Sequence, residues 1–157
     1  MKYKGIVLLV LIVSIINSCT NKDKLGLDKI CNLEYCEYGE IINNKKEGVW
    51  KRFDNNGNLI RVTKYVNGLK NGPTVTFYAD GMIYSTGYYL NDTISGNLSI
   101  YHENGFLNIS SNYVKGRRVG FQYDYSEKGI LSNLDFYSND MQDKIQLIPD
   151  VKLDTAH

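Results

Sequence analysis

The chain has 157 residues, a formal net charge of +1, 43% hydrophobic residues and only two histidines. This is the composition of one globular domain, and the near-neutral charge leaves no basic field for nucleic acid. Arg117-Arg118 alone makes a turn and not a patch.

Residues 1–18 read as an export signal. Lys2 and Lys4 precede an uncharged apolar run from Gly5 to Ile16, the order of a charged n-region followed by an h-region. The run is shorter than the roughly 20 residues that span a bilayer. Ile16-Asn17-Ser18-Cys19 resembles a bacterial lipobox, in which the cysteine is lipidated and becomes the first mature residue. Cys19 is therefore the expected lipidation site, and a lipid-anchored position in the bacterial envelope, at the outer membrane, is the expected localisation. Removal of residues 1–18 takes away two lysines and no acid, so the charge falls from +1 to −1.

Residues 19–37 are expected to form a tether and an amino-terminal cap, with Thr20 to Lys29 polar enough for a flexible linker. Cys31 and Cys36 lie close together, and in an exported chain such a pair reads as a disulfide closing a tight loop. Two free thiols remain the alternative. A metal site is the weaker competitor, because no histidine is nearby and two thiolates do not complete a tetrahedron.

Residues 38–148 form a repeat array. Four units of 24 residues run without insertion from Gly48 to Asp143: GVWKRFDNNGNLIRVTKYVNGLKN, GPTVTFYADGMIYSTGYYLNDTIS, GNLSIYHENGFLNISSNYVKGRRV and GFQYDYSEKGILSNLDFYSNDMQD. The sixth position is aromatic (Phe53, Phe77, Tyr101, Tyr125), the tenth is glycine (Gly57, Gly81, Gly105, Gly129), the twelfth is aliphatic and the eighteenth is tyrosine (Tyr65, Tyr89, Tyr113, Tyr137). Turn pairs recur too closely for helices, and the segments between them are rich in β-prone residues. The expected fold is all-β, a single-domain array of antiparallel hairpins with half-units at Tyr38–Asn44 and Lys144–Ile148, about nine or ten strands in total. The sixth, twelfth and eighteenth positions share parity and are expected on one face. Pro149 ends the last strand and 149–157 reads as a flexible tail.

On the other parity lie Trp50, Tyr84, Tyr88, Leu98 and Phe136 among other apolar residues, too apolar for a face that simply meets water. They are either covered by another segment or exposed as a face on which a protein or glycan docks. No catalytic constellation accompanies them. His102 occupies a strand-end position shared by Asp54, Tyr78 and Ser126, and its neighbour Glu103 points away from it along a strand. No cofactor, metal site or enzymatic activity is expected.

The pattern G-x-(aromatic)-x-x-(aromatic)-x-x-(N/D)-G-x-(L/I), with its later Y-x-N-G, resembles the bacterial variant of the MORN repeat and in particular the YwqK-like antitoxins. The third position departs from it, with Thr74, Leu98 and Gln122 following Trp50. The expected function is a non-catalytic binding or scaffold module whose partner is an envelope protein. The alternative, implied by the resemblance alone, is an antitoxin or immunity protein that sequesters a toxin.

Overall fold

The computed structural model describes residues 21–22 and 26–143. The signal segment, Cys19, the half-unit Lys144–Ile148, Pro149 and the tail lie outside the described residues. The described chain is all-β. Thirteen strands form one antiparallel sheet in which neighbours in sequence are neighbours in space. They are β1 (Asn21–Lys22), β2 (Asp28–Cys31), β3 (Tyr35–Ile42), β4 (Lys45–Asp54), β5 (Leu59–Val66), β6 (Leu69–Phe77), β7 (Ile83–Leu90), β8 (Thr93–Ile94), β9 (Gly96–Tyr101), β10 (Leu107–Val114), β11 (Arg117–Tyr125), β12 (Leu131–Ser138) and β13 (Met141–Asp143). β8 and β9 together take the place that β4, β6 and β11 fill with one strand each. Within the segment expected as a tether and amino-terminal cap, β2 pairs with β3 from Asp28↔Gly39 to Cys31↔Cys36 and carries the sheet past the repeats, so Asp28 and Lys29 belong to a strand and not to a linker.

Two kinds of turn alternate along the array. At the tenth-position glycine the chain makes a type-I-like turn followed by a left-handed residue: Gly57 N–H donates to Asp54 O and Asp54 N–H to Asn58 O, with Gly57 at φ 87°. The same pair of bonds recurs at Tyr78–Met82, His102–Phe106 and Ser126–Ile130. The second turns have two consecutive residues at positive φ, Asn67-Gly68, Asn91-Asp92, Lys115-Gly116 and Asn139-Asp140, which is the two-residue hairpin whose twist matches that of its strands. These turns are stitched together, since Gly68, Asp92, Gly116 and Asp140 each donate a backbone N–H to the preceding hairpin at Lys46, Lys70, Ile94 and Arg118.

Bulges decide which face each side chain takes. In every unit one residue at the thirteenth position is extra: Arg52 pairs with Arg61 but Phe53 with Leu59, which leaves Ile60 over. The register slips in the same way in the other units, leaving Tyr84, Asn108 and Ser132 over. The parity expectation therefore fails. Positions six and twelve do pair on one face (Phe53↔Leu59, Phe77↔Ile83), but the slip sends the eighteenth-position tyrosine to the other, where Tyr65 meets Trp50 edge to face at 6.4 Å. A second irregularity falls near the leading glycine of each unit. Glu40 pairs with Glu47 but Tyr38 with Lys51, and Gly48 takes φ 68° inside the irregular stretch.

With no second layer among the described residues, burial comes from neighbours within the sheet. On the face that carries Trp50, the sixteenth position of one unit meets the third position of the next in complementary pairs. Trp50 lies over Gly39, Leu98 reaches Gly87, Thr63 Oγ1 and Thr74 Oγ1 share a hydrogen bond of 2.8 Å, and Ser111 Oγ donates to Gln122 Oε1 at 3.1 Å. The variability of the third position is thus matched residue by residue across the strand pair.

A third ladder on this face places a cation against the repeat tyrosines. Lys46 lies 5.0 Å from the Tyr65 ring centroid, Lys70 4.9 Å from that of Tyr89, and the Arg118 guanidinium 4.1 Å from that of Tyr137. Each such contact contributes about 0.5–2 kcal/mol.

Candidate functional site

The bulges gather polar chemistry on the Trp50 face. One row crosses the sheet directly from strand to strand: Glu37↔Arg52↔Arg61↔Thr76↔Ser85↔Ile100. Beside it runs the row through Trp50, Thr63, Thr74 and Gly87. Over the middle of both rows lies a trough of about 360 Å³, lined by Arg52, Arg61, Lys70, Thr76, Ser85 and Tyr84 together with Ile60, Tyr89, Ile94 and Leu98. Its walls pair hydroxyls and cations with apolar side chains.

The hydroxyls form a linked floor. Thr76 Oγ1 and Ser85 Oγ lie 2.5 Å apart, beside the Thr63–Thr74 pair. At one end Glu37 is buried and accepts hydrogen bonds from Lys46 Nζ and from Arg52 Nε, the latter at 2.7 Å. Burial pushes its carboxyl up, but the hydrogen bonds and charges of Lys46 and Arg52 outweigh burial and hold it below the ordinary carboxylate range. Arg52 also stacks on the Tyr35 ring, 3.8 Å from its centroid. Glu37 is thus a buried carboxylate whose charge is matched by two partly exposed cations.

The five residues expected on one apolar face, either covered or open to docking, do not share a face. Trp50 is 2% exposed and Leu98 packs toward Gly87, so both belong to the interior of the trough face. Tyr84, the extra residue of its hairpin, stands at the trough with 42% exposure and its ring edge-on to Tyr78. Tyr88 and Phe136 are on the opposite face: Tyr88 pairs with Pro73 and is 45% exposed, while Phe136 pairs with Phe121, ring centroids 5.2 Å apart. Parity counted by residue number crosses a bulge between these positions, which is why the set divides. The trough cations went unnoticed because Arg52, Arg61 and Lys70 are scattered in sequence; the isolated glycine leading each unit was the available sign of irregular strands.

Other expectations find places too. Cys31 and Cys36 are directly opposed in the β2–β3 hairpin and joined by a disulfide, the loop between them held by Asn32 Oδ1, which accepts the N–H groups of Glu34 and Tyr35. A wider hollow of about 520 Å³ lies beside this disulfide on the opposite face, lined by Leu27, Tyr38, Lys51 and Phe53. It brings fewer polar groups together than the trough. His102 hydrogen-bonds through Nε2 to Tyr125 O at 2.8 Å, as Tyr78 Oη does to Tyr101 O at 2.6 Å, so both seventh-position side chains tie one unit to the next. Among the described residues no group of three or more His, Cys, Asp or Glu side chains is placed to hold a metal ion.

No protein-family model matches the chain, and no curated protein matches it either.

Proposed function

We propose that the chain is a MORN-like repeat module that binds a protein partner without chemistry of its own, held at the bacterial envelope by a lipid on Cys19. The observation that carries the binding reading is the trough, where cations, linked hydroxyls and the half-exposed Tyr84 converge on one face. A hairpin array suits this task, because each unit adds a rigid pair of strands and the trough spans several of them. The Cys19 anchor rests on the I-N-S-C signal and the apolar run before it.

Two experiments test the reading. Partner capture by the full chain from its own envelope should fall in Tyr84→Ser, with the unfolding midpoint close to wild type, since aromatic anchors commonly carry about 2 kcal/mol or more. Capture that survives Tyr84→Ser unchanged would remove the trough from the account. Metabolic palmitate labelling should be lost in Cys19→Ala, and equal labelling of both proteins would reject the anchor.

A further inference from the structure

Arg52 and Arg61 are directly opposed on neighbouring strands, side by side on one face. Like charges in that position repel, and sheets ordinarily separate them or place an acid between them. Here the acid, Glu37, lies on the far side of Arg52 and is already shared by Arg52 and Lys46. Among the described residues Arg61 has neither an ion pair nor a side-chain hydrogen bond. The lining of the trough contains three cations, Arg52, Arg61 and Lys70, and no carboxylate. Register places the Thr76 and Ser85 hydroxyls on the strands beyond Arg61, in the same row.

From this we infer that the trough is a carboxylate site for an acidic segment of the protein partner, with Arg61 as the principal contact. The inference deepens the binding reading above and rests on it. A carboxylate matches the planar guanidinium fork and accepts in addition from the one hydroxyl of the linked Thr76–Ser85 pair whose proton is not spent on the other. The apolar wall formed by Ile60, Tyr84, Ile94 and Leu98 accommodates aliphatic residues flanking the acid, which favours a peptide over a free anion or an acidic sugar.

The test uses the full chain purified in detergent, with the arginine Nε–H resonances followed by NMR. The probes are acetyl-Leu-Glu-Leu-amide, its Leu-Gln-Leu counterpart and an oligomer of glucuronate. The glutamate peptide should shift the Arg61 resonance saturably at millimolar concentration, at least about ten-fold more tightly than the glutamine peptide, because the bond is charge-assisted. Arg61→Lys should retain weakened binding. Arg61→Gln should lose it and keep native Trp50 fluorescence, which shows that the fold persists. Equal response to both peptides, no saturation with either, or binding of glucuronate alone would each overturn the inference. If the glutamate peptide is silent while Tyr84→Ser still abolishes partner capture, the ligand class is wrong and the binding surface stands.

Discussion

Gly39→Ala is the most exacting test of how the repeats interlock. A Cβ at position 39 would lie 2.3 Å from Cδ2 and 2.4 Å from Cε2 of Trp50, at least about 1 Å inside ordinary contact (~3.4–4 Å). The backbone at Gly39 is not left-handed, so the cost is the collision alone. The indole has little room to yield, because its N–H donates to Glu47 O at 3.2 Å and Lys46 Nζ sits 4.3 Å from its ring centroid. Displacing it forfeits part of its burial and the cation contact, and the expected loss is roughly 2–4 kcal/mol. Gly87→Ala, at the equivalent position two units along, meets Leu98 Cδ1 at 3.2 Å and Thr74 Cγ2 at an ordinary 3.7 Å, and should cost less than about 1 kcal/mol. Denaturant unfolding measures both. Trp50 is the single tryptophan, so its emission reports its own displacement and should shift to the red only in Gly39→Ala. Equal midpoints for the two variants, with unchanged emission, would refute the interlocking of Trp50 with Gly39.

Three further outcomes are expected. Gly81→Val and Gly105→Val place a β-branched residue at φ 90° and 85° and should each destabilise by more than about 1 kcal/mol in denaturant titrations. The folded Glu37 carboxyl titrates below its ordinary value of 4.5, so its contribution to stability is present above that pH and is lost as pH falls from there through the lower folded value; unfolding midpoints measured across this range should flatten in Glu37→Gln. Alkylation and mass spectrometry should find Cys31 and Cys36 blocked until reduction, and Cys31→Ala with Cys36→Ala should cost about 2 kcal/mol, given the short loop they close.

The hairpin array was legible because its determinants are local. A glycine after Asn or Asp and a pair such as Asn67-Gly68 specify turns by backbone sterics alone, and 24-residue periodicity places every turn at once. The partnership of positions six and twelve followed from the same turns. The division of faces was not legible. It depends on one extra residue beside each hairpin, and Ile60 and Tyr84 look like ordinary strand residues until the strand opposite is known. For the same reason the sequence left open whether Trp50 is covered or a docking aromatic, because its place is set by the missing side chain at Gly39 on another strand. The pairing of Arg52 with Arg61 was hidden likewise, since only register brings them together. The β2 strand was obscured by polarity, because Asp28 and Lys29 suggest a linker; the Asp28 carboxylate instead holds β3, its Oδ2 accepting Ile41 N–H at 2.8 Å.

The central claim is that a partner docks on the trough face, and Tyr84 and Tyr88 separate the two faces with nearly equal exposure, 42% and 45%. Replacing each in turn with a photo-crosslinking phenylalanine and irradiating intact envelopes measures which face the partner touches. The account predicts a discrete crosslinked partner from position 84 and none from position 88, while crosslinking from position 88 alone, or equally from both, would contradict it.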